Sequence, residues 1–545
     1  MLYRNNLRLA EGFPRRPRKY LPAGISGVRT MAQITCYDGV GCIGGNKILL
    51  EDGDRKLFFD FGTNFGAEGR FYEEFIRPKA CVGLYEYIQM GLLPPLRDIY
   101  RTDMVSSVCD PWSGIAAVEL GDVGGVLVSH AHVDHMGSIR HLRGDIPVFC
   151  TPMTAAISRA LQDTGKSQTE TEYCYYVART ESDQGHITSP HWKTHPFQGR
   201  IYRITPDSVS DAFRTFWESA PGGRELRALD CELAELCAGL TVRSFPTDHS
   251  VYGASAWDVQ TSAGWVVYSG DIRFHGSYGD NSRRFAEQAA SLSPAALIIE
   301  GTRIDSTDSC AESDVGSACL DVVSDCPGLV VADFGPRNVE RLMSFLDIAR
   351  QTDRELVILP KNAYLLDAMR SAEGEQAVPS LDNGGIRIYR EHSAAEENTK
   401  WKAHVAERHR SLMIEPSDIS RQQDHFICCF GFFDVQELAY IKPAAGSVWI
   451  SSNCEPFNEE MQIDLCRLKN WLAHFDVRYI GGDESAGNPV PVSGHVSGPD
   501  LFDLVRTIRP RKLIPIHSEH PEFYVENVGD VCEVVLPERG APIQV

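Results

Sequence analysis

The most constraining feature of the sequence is a cluster of metal-binding side chains in the segment VLVSHAHVDHMG, residues 126–137. Within six residues it contains His130, His132, Asp134 and His135. Positions i and i+2 do not share a helix face, so His130 and His132 are predicted to lie in a loop or at a strand end. Paired imidazoles suit zinc, and the adjacent Asp–His pair offers a second site. The segment therefore predicts a metal centre, and a chance cluster is the competing explanation.

Other polar residues also follow short apolar, β-branched runs. Such runs predict buried strands, and α/β folds build their sites from polar groups at strand ends. We expect these residues to lie near the histidine cluster: His249, Asp271, Glu300 and His517.

Residues 302–490 alternate between predicted strands and helices, which indicates a second α/β domain. GLVVADF, residues 328–334, is typical of a buried strand, and residues 336–351 are predicted to form a helix with Pro336 at its first position. Residues 71–91 are also predicted to be helical, with an interruption at Pro78.

The composition excludes several classes of protein. The chain of 545 residues carries 53 Lys and Arg against 74 Asp and Glu, a net charge of −21. This balance argues against a protein that coats nucleic acid, but it permits an enzyme that meets phosphates through bound metal ions. No apolar stretch reaches the roughly 18 residues of a membrane span, so no membrane association is expected. The 16 cysteines include no C-x-x-C pair, which favours reduced thiols and a cytoplasmic protein.

Residues 1–30 differ from the rest of the chain because they are basic and rich in proline. We interpret them as a flexible tail. The alternative hypotheses are a mis-assigned start upstream of Met31, an arm that touches RNA, and an organelle-targeting segment.

The order of the candidate ligands resembles the metallo-β-lactamase superfamily. Its hallmark is H-x-H-x-D-H, followed by a single His and then a metal-bridging Asp, here matched at 130–135, His249 and Asp271. The resemblance implies an α/β fold, the four-layer αβ/βα sandwich, with two zinc ions. It also implies that His130, His132 and His249 bind one ion, that Asp134 and His135 bind the other, and that Asp271 bridges them.

The second half resembles the β-CASP nuclease branch of that superfamily, most of all the ribonuclease J family and its archaeal-type members. The matches are Glu300 in LIIEGT, His495 in SGH and His517 in IPIHSE. The resemblance implies a metallo-β-lactamase domain formed by residues 31–301 and 491–545, with insertions near 63–120 and 151–240. It further implies that residues 302–490 form the inserted β-CASP domain.

Several functional expectations follow from this resemblance. It implies a zinc-dependent ribonuclease, with manganese as a possible metal, that hydrolyses RNA phosphodiesters with a metal-bridging hydroxide in RNA processing or decay. Asp134 and Asp271 would be catalytic, His495 would be the general acid, and Glu300 would orient it. His517 would complete the ligand set. Substrate contacts are expected from Ser451, Ser452, Ser493, Gly494 and Arg337. RNA is the expected partner, and whether the protein forms a homodimer is left undecided by the sequence.

Alternatives also stay open at this point. One is a DNA nuclease of the same fold, and another is an inactive RNA-binding scaffold subunit. His517 favours the RNA-cutting members, because the DNA-repair members resemble this pattern with Val at that position. The segment before His495 departs from the family, since Pro491 stands where ribonuclease J usually has a His. In the family that His helps to hold a nucleotide phosphate, so the departure affects the phosphate-binding pocket that the resemblance implies.

Overall fold

The structure is a computed structural model. It describes residues 32–73, 75–165, 170–190, 195–205, 209–220, 224–225, 239–307, 312–372, 376–392, 400–452, 459–481 and 494–545. The predicted tail at 1–30 and the positions Pro491 and Ser493 lie outside these ranges.

Two β-sheets face each other and enclose a shared apolar core. The first sheet runs in the order Tyr202–Ile204, Val148–Cys150, Val126–Leu127, Arg55–Phe61, Lys47–Asp52, Gln33–Asp38 and Pro542–Gln544. The second runs in the order Thr241–Pro246, Ser255–Thr261, Gly264–Tyr268, Ala296–Ile299, Lys512–Pro515 and Glu533–Val534. Residues that alternate along each strand face opposite sides. Phe59 accordingly packs between the sheets against Tyr268, whereas Phe58 faces the outer helices.

Helices cover the outer face of each sheet, which confirms the predicted αβ/βα sandwich. On the second sheet pack the helices Gly279–Ser291, Gly498–Ile508 and Glu522–Val528. On the side of the first sheet lie Phe65–Glu68, Tyr85–Gln89, Val133–Met136, Pro152–Thr164 and Asp211–Glu218. Thr151 caps the helix Pro152–Thr164, because its hydroxyl accepts from the backbone N–H of Thr154.

A third sheet is built only from parallel strands. Its order is Met413–Ile414, Ile386–Tyr389, Glu355–Ile358, Phe426–Cys428, Val330–Asp333, Val448–Ser451 and Arg478–Ile480. The accompanying helices are Glu312–Ser324, Val339–Gln351, Pro360–Ser371, Lys400–Arg408, Pro416–Arg421, Leu438–Ile441 and Glu459–His474. Buried residues form apolar clusters on both faces of this sheet, as expected where helices cover a parallel sheet. The predicted second α/β unit is therefore present.

Two local predictions were wrong. The helix predicted from Pro336 begins at Val339, because the Asn338 side chain accepts from the Arg341 N–H and caps the helix three residues later. In residues 71–91 the α-helix covers only Tyr85–Gln89. Among the other described residues of that segment, Ala80–Val82 form a 3-10 helix, and side chains such as Leu84 pack on the first sheet's outer face.

Residues 151–240 add short pieces of regular structure. Tyr202–Ile204 joins the edge of the first sheet, parallel to Val148–Cys150. Two-residue strands pair as Tyr175–Tyr176 with Gln198–Gly199, Thr180–Glu181 with Ile187–Thr188, and Ser219–Ala220 with Arg224–Glu225. Among the described residues, no helix combines the length and the apolar composition that crossing a membrane requires.

Candidate metal centre

The ends of several strands bring the sequence-predicted ligands together. The second sheet supplies residues that lie one to three positions after four of its strands, and the first sheet supplies the loop after Val126–Leu127. The residues assembled in this way are His130, His132, Asp134, His135, His249, Asp271, Glu300 and His517, and His495 joins them from the segment just before the helix Gly498–Ile508. Because neighbouring strands end at the same edge, residues as far apart in the chain as Asp134 and His517, 383 positions, become neighbours in space.

One group of ligand atoms comes from His130, His132, His249 and Asp271. These atoms all lie within 4.8 Å of one another. The Nδ1 atom of His132 lies 3.0 Å from Nε2 of His130 and 3.2 Å from Nε2 of His249. Oδ2 of Asp271 lies 3.6 Å from His130 Nε2. Three imidazoles and one carboxylate thus converge on one point.

A second group comes from Asp134, His135 and His517. The Oδ2 atom of Asp134 lies 3.3 Å from His517 Nε2 and 3.6 Å from His135 Nε2. Oδ2 of Asp271 also reaches this group, at 3.1 Å from His135 Nε2 and 3.9 Å from His517 Nε2. The Asp271 carboxylate therefore lies between the two groups.

The residues fit a pair of divalent cations. Among the residues that the structure describes, buried Oδ1 of Asp271 has no hydrogen-bond partner. A buried carboxylate oxygen is normally satisfied, so this atom has capacity for a ligand. Burial, together with the neighbouring histidines, holds the pKa of His130 well below its ordinary value, and burial lowers that of His132 to about 3. Neutral imidazoles are the metal-binding form, and this mixed N/O donor set suits zinc or manganese.

Electrostatics differ between the histidines and the acids. Burial alone raises the pKa of Asp134, but the charges of His135 and His517 outweigh it and hold the pKa well below its ordinary value. For His135 burial and the neighbouring charges shift the pKa in the opposite directions. Burial lowers its pKa, and the carboxylates of Asp271 and Asp134 raise it well above the usual value. The carboxylates of Asp134 and Asp271 are thus both kept ionised.

Asp60 is a central residue that sequence reasoning missed. Its carboxylate accepts from Nδ1 of His135 at 2.7 Å, from the backbone N–H of Ser129 at 2.7 Å and from the Tyr268 hydroxyl at 2.5 Å. Such a partner fixes the ring so that Nε2 faces the second group. The sequence signal for it is weak, because Asp60 is a single acid within the apolar run KLFFDFG.

Close backbone packing places the histidine loop against the first sheet. A Cβ atom at Gly62 would lie 1.6 Å from the carbonyl oxygen of Asp134, so only glycine permits this approach. Asp60 and His517 both have φ of 52°, which is uncommon for residues other than glycine. Non-glycine residues in this region cluster at functional sites.

Glu300 links the centre to His495. One carboxylate oxygen accepts from the backbone N–H of Ile272 at 2.7 Å, and the other lies 2.8 Å from Nδ1 of His495. Burial alone lowers the pKa of His495, but Glu300 and Asp271 outweigh it and raise the pKa to about 9. The Thr302 hydroxyl donates to Glu300 at 2.7 Å. His495 is 19% exposed, so it faces the accessible side of the centre.

The residues predicted to contact substrate divide into two sets. Arg337 donates to the carbonyl of Ala131 at 3.0 Å, and the carbonyl of Gly494 lies 2.6 Å from Nδ1 of His249. Both therefore lie against ligand loops. The structure places the Ser452 hydroxyl in a hydrogen bond with Arg341, and Ser451 bonds to Tyr479.

Comparison with known proteins gives a consistent picture. No protein-family model matches the chain. Ribonuclease J 2 of Streptococcus pyogenes is 22% identical over 74% of this chain and 60% of the relative. Ribonuclease J of Helicobacter pylori is 19% identical over 90% of this chain and 57% of the relative. Ribonuclease J of Mycolicibacterium smegmatis is 22% identical over 89% of this chain and 68% of the relative. The chain thus spans 57–60% of the length of the first two relatives.

These matches relate the chain to ribonuclease J and the β-CASP metallo-β-lactamases. A crystal structure of a protein of unknown function from Enterococcus faecalis shares the fold. It superposes with a TM-score of 0.62 at 22% identity, over 95% of this chain and 100% of that chain.

Proposed function

We propose that the protein is a metal-dependent ribonuclease that hydrolyses RNA phosphodiesters in RNA processing or decay. The observation that carries the proposal is the position of Asp271 Oδ2, within 3.6 Å of His130 Nε2 in one group and 3.1 Å of His135 Nε2 in the other. A carboxylate shared by two histidine groups suits a two-metal site for phosphoryl chemistry. The similarity to ribonucleases J supplies the substrate class.

The proposed ligands form two sets. His130, His132 and His249 would hold one ion, and Asp134, His135 and His517 would hold the other, with Asp271 shared between the two sets. When bound, two zinc ions, or manganese in their place, supply Lewis-acid polarisation of the phosphate and activation of water near neutral pH.

The chain's own residues supply proton transfer and orientation. We assign proton donation to the leaving oxygen to His495, because it lies at the centre, is partly exposed and is fixed through Nδ1 by Glu300. Glu300 is fully buried and acts by holding that ring. Asp134 is 22% exposed at its side chain, so it borders the space for substrate, whereas Asp271 is only 1% exposed.

Substrate contacts are part of the proposal. Arg337 and Gly494 lie against the ligand loops, and Ser493, Ser451 and Ser452 complete the proposed set.

We propose that residues 31–301 and 491–545 form the catalytic domain and that 302–490 form the β-CASP domain. The cysteines that the structure describes are free, which supports a cytoplasmic location. Light scattering tests for a homodimer.

The test uses end-labelled RNA with a 5′-monophosphate, triphosphate or hydroxyl, and DNA of the same sequence. The zinc- or manganese-loaded chain is expected to cleave RNA. Mononucleotide release would indicate exonuclease action, and internal fragments would indicate endonuclease action. Asp271→Ala is the control, and its activity must be lost if the cleavage belongs to this site. Preferential cleavage of DNA, or no cleavage of any substrate, would overturn the proposal.

A further inference from the structure

Two contacts join the start of the helix Val339–Gln351, which packs on the third sheet, to the loops that carry the candidate ligands. Arg337 donates to the carbonyl of Ala131, within the histidine cluster. Glu340 accepts a hydrogen bond from Arg273, which lies two residues after Asp271. One short segment of the third-sheet unit thus contacts ligand loops from both sheets of the sandwich.

Arg273 braces two ligand loops at once. Its backbone N–H donates to the carbonyl of Asp248 at 2.8 Å, and its guanidinium lies 3.2 Å from the Asp248 carboxylate. Asp248 directly precedes His249. The position of Arg273 therefore sets how far the loop of His249 lies from the loop of Asp271. We call Asp248, Arg273 and Glu340 the clasp.

Glu340 fixes the guanidinium from the other unit. Its carboxylate also accepts from the backbone N–H of Ser277 at 2.6 Å, and Ser277 follows Asp271 by six residues. Glu340 is 4% exposed and Arg273 is 1% exposed. A buried guanidinium that loses one of its carboxylates is left with uncompensated charge, so it is expected to move or draw in water.

We propose that Glu340 is a positioning residue that sets the separation of His249 and Asp271 through Arg273, so that metal binding depends on this one contact from the third-sheet unit. This inference rests on the proposed metal centre. It is separate from the ligand set itself, because Glu340 belongs to neither group of candidate ligands.

A second contact between the same two units provides a matched control. The Tyr364 hydroxyl donates to Asp163 at 2.7 Å, between the helices Pro360–Ser371 and Pro152–Thr164. Asp163 lies near the C-terminal end of its helix and also accepts from Arg159 and Tyr175. Tyr364→Phe therefore removes a hydrogen bond between the two units and leaves the residues of the clasp unchanged.

The experiment compares the full-length wild type with Glu340→Gln and Tyr364→Phe. Zinc dissociation constants are measured by competition with a chelator, and urea unfolding of the zinc-free proteins measures general stability. Loss of a residue that orients ligands typically weakens metal affinity about 10- to 100-fold. We expect at least about a tenfold loss of zinc affinity in Glu340→Gln and less than about twofold in Tyr364→Phe.

Other outcomes overturn distinct claims. Unchanged zinc affinity in Glu340→Gln, or an equal loss in Tyr364→Phe, would show that the clasp has no specific role. A wild type that binds no zinc or manganese would overturn the proposed function and the clasp with it. If Glu340→Gln does not fold, Ser277→Ala removes one donor to the same carboxylate. That variant should then show a smaller loss of zinc affinity, and unchanged affinity would count against the clasp.

Discussion

The strand ends of the sandwich and those of the parallel sheet carry similar residues, but among the residues that the structure describes only the former assemble a candidate metal centre. Asp271 follows a strand of the second sheet, and its buried Oδ1 has no hydrogen-bond partner within the described part of the chain. Asp333 ends a strand of the third sheet, and its carboxylate accepts from Nε1 of Trp449 at 3.2 Å. A strand-end acid therefore predicts a metal site only when its oxygens are left for a ligand.

The same contrast holds for the residues around these acids. In the sandwich, five imidazoles converge on two carboxylates, and neighbouring protein groups do not satisfy all of their polar atoms. In the parallel sheet, Arg341 pairs with Glu312 and with Ser452, so charges and hydroxyls compensate one another. Because buried polar groups are nearly always paired, the unpaired atoms of these clustered ligands have capacity for a cation.

The largest expected effect is the loss of both metal ions in Asp271→Ala. The bridging carboxylate is removed, so both ligand groups lose a donor and RNA cleavage should become undetectable. Metal content by elemental analysis and a cleavage assay measure this. Asp333→Ala is the matched control and should keep its metal content. If it loses metal as well, or if Asp271→Ala cleaves normally, the contrast between the two regions is wrong.

The next effect is on the pH dependence of stability, and it concerns a buried acid of the sandwich that is not a candidate metal ligand. Asp258 lies on the strand Ser255–Thr261, away from the ligands, and neither of its oxygens has a hydrogen-bond partner among the described residues. Burial raises its pKa to about 7. The native state therefore holds a proton that the unfolded chain releases near pH 4. The stability contributed by this carboxyl group is present below about pH 4 and lost as the pH rises through about 7.

Asp258→Asn removes this dependence on pH. Relative to the variant, the wild type should lose stability on the order of a few kcal/mol between pH 4 and pH 8. Urea unfolding of the zinc-free proteins at several pH values measures the difference. Asp503→Asn, at an exposed acid, is the control and should follow the wild type. Parallel pH profiles for Asp258→Asn and the wild type would contradict the prediction.

The smallest effect concerns hydroxyl groups that bind carboxylates in the two regions. Tyr268 donates to Asp60, which holds His135, whereas Tyr389 donates to Glu437 in the third-sheet unit at 2.7 Å. Each Tyr→Phe change should cost about 1 kcal/mol of stability. Only Tyr268→Phe should also weaken zinc binding, by about tenfold, because only its partner orients a candidate ligand. Equal zinc affinities in the two variants would refute this difference.

Much of the fold could be predicted from local pattern. The strand at 330–333 lies inside the predicted apolar run 328–334, because continuous β-branched segments are typical of buried parallel strands. The helix start at Val339 was mispredicted, since the capping side chain of Asn338 outweighed the preference of proline for the first position.

The candidate site was predictable where residue types alone reveal the chemistry. His130, His132, Asp134 and His135 form a pattern that needs no fold to be noticed. Asp60 was missed, because a single acid within an apolar strand has no such signature. The roles of Ser451 and Ser452 stay predictions, to be tested by RNA affinity.

The sequence by itself determined which side chains could bind metal, because imidazole and carboxylate chemistry does not depend on the fold. It also indicated the alternation of strands and helices in residues 302–490 through the pattern of apolar residues. Only the tertiary structure decided that Asp271 reaches both histidine groups, that Asp60 holds His135, and that Arg273 joins Asp248 to Glu340. The reason is that these contacts join distant parts of the chain, and strand pairing and packing alone bring those parts within a few ångströms of one another.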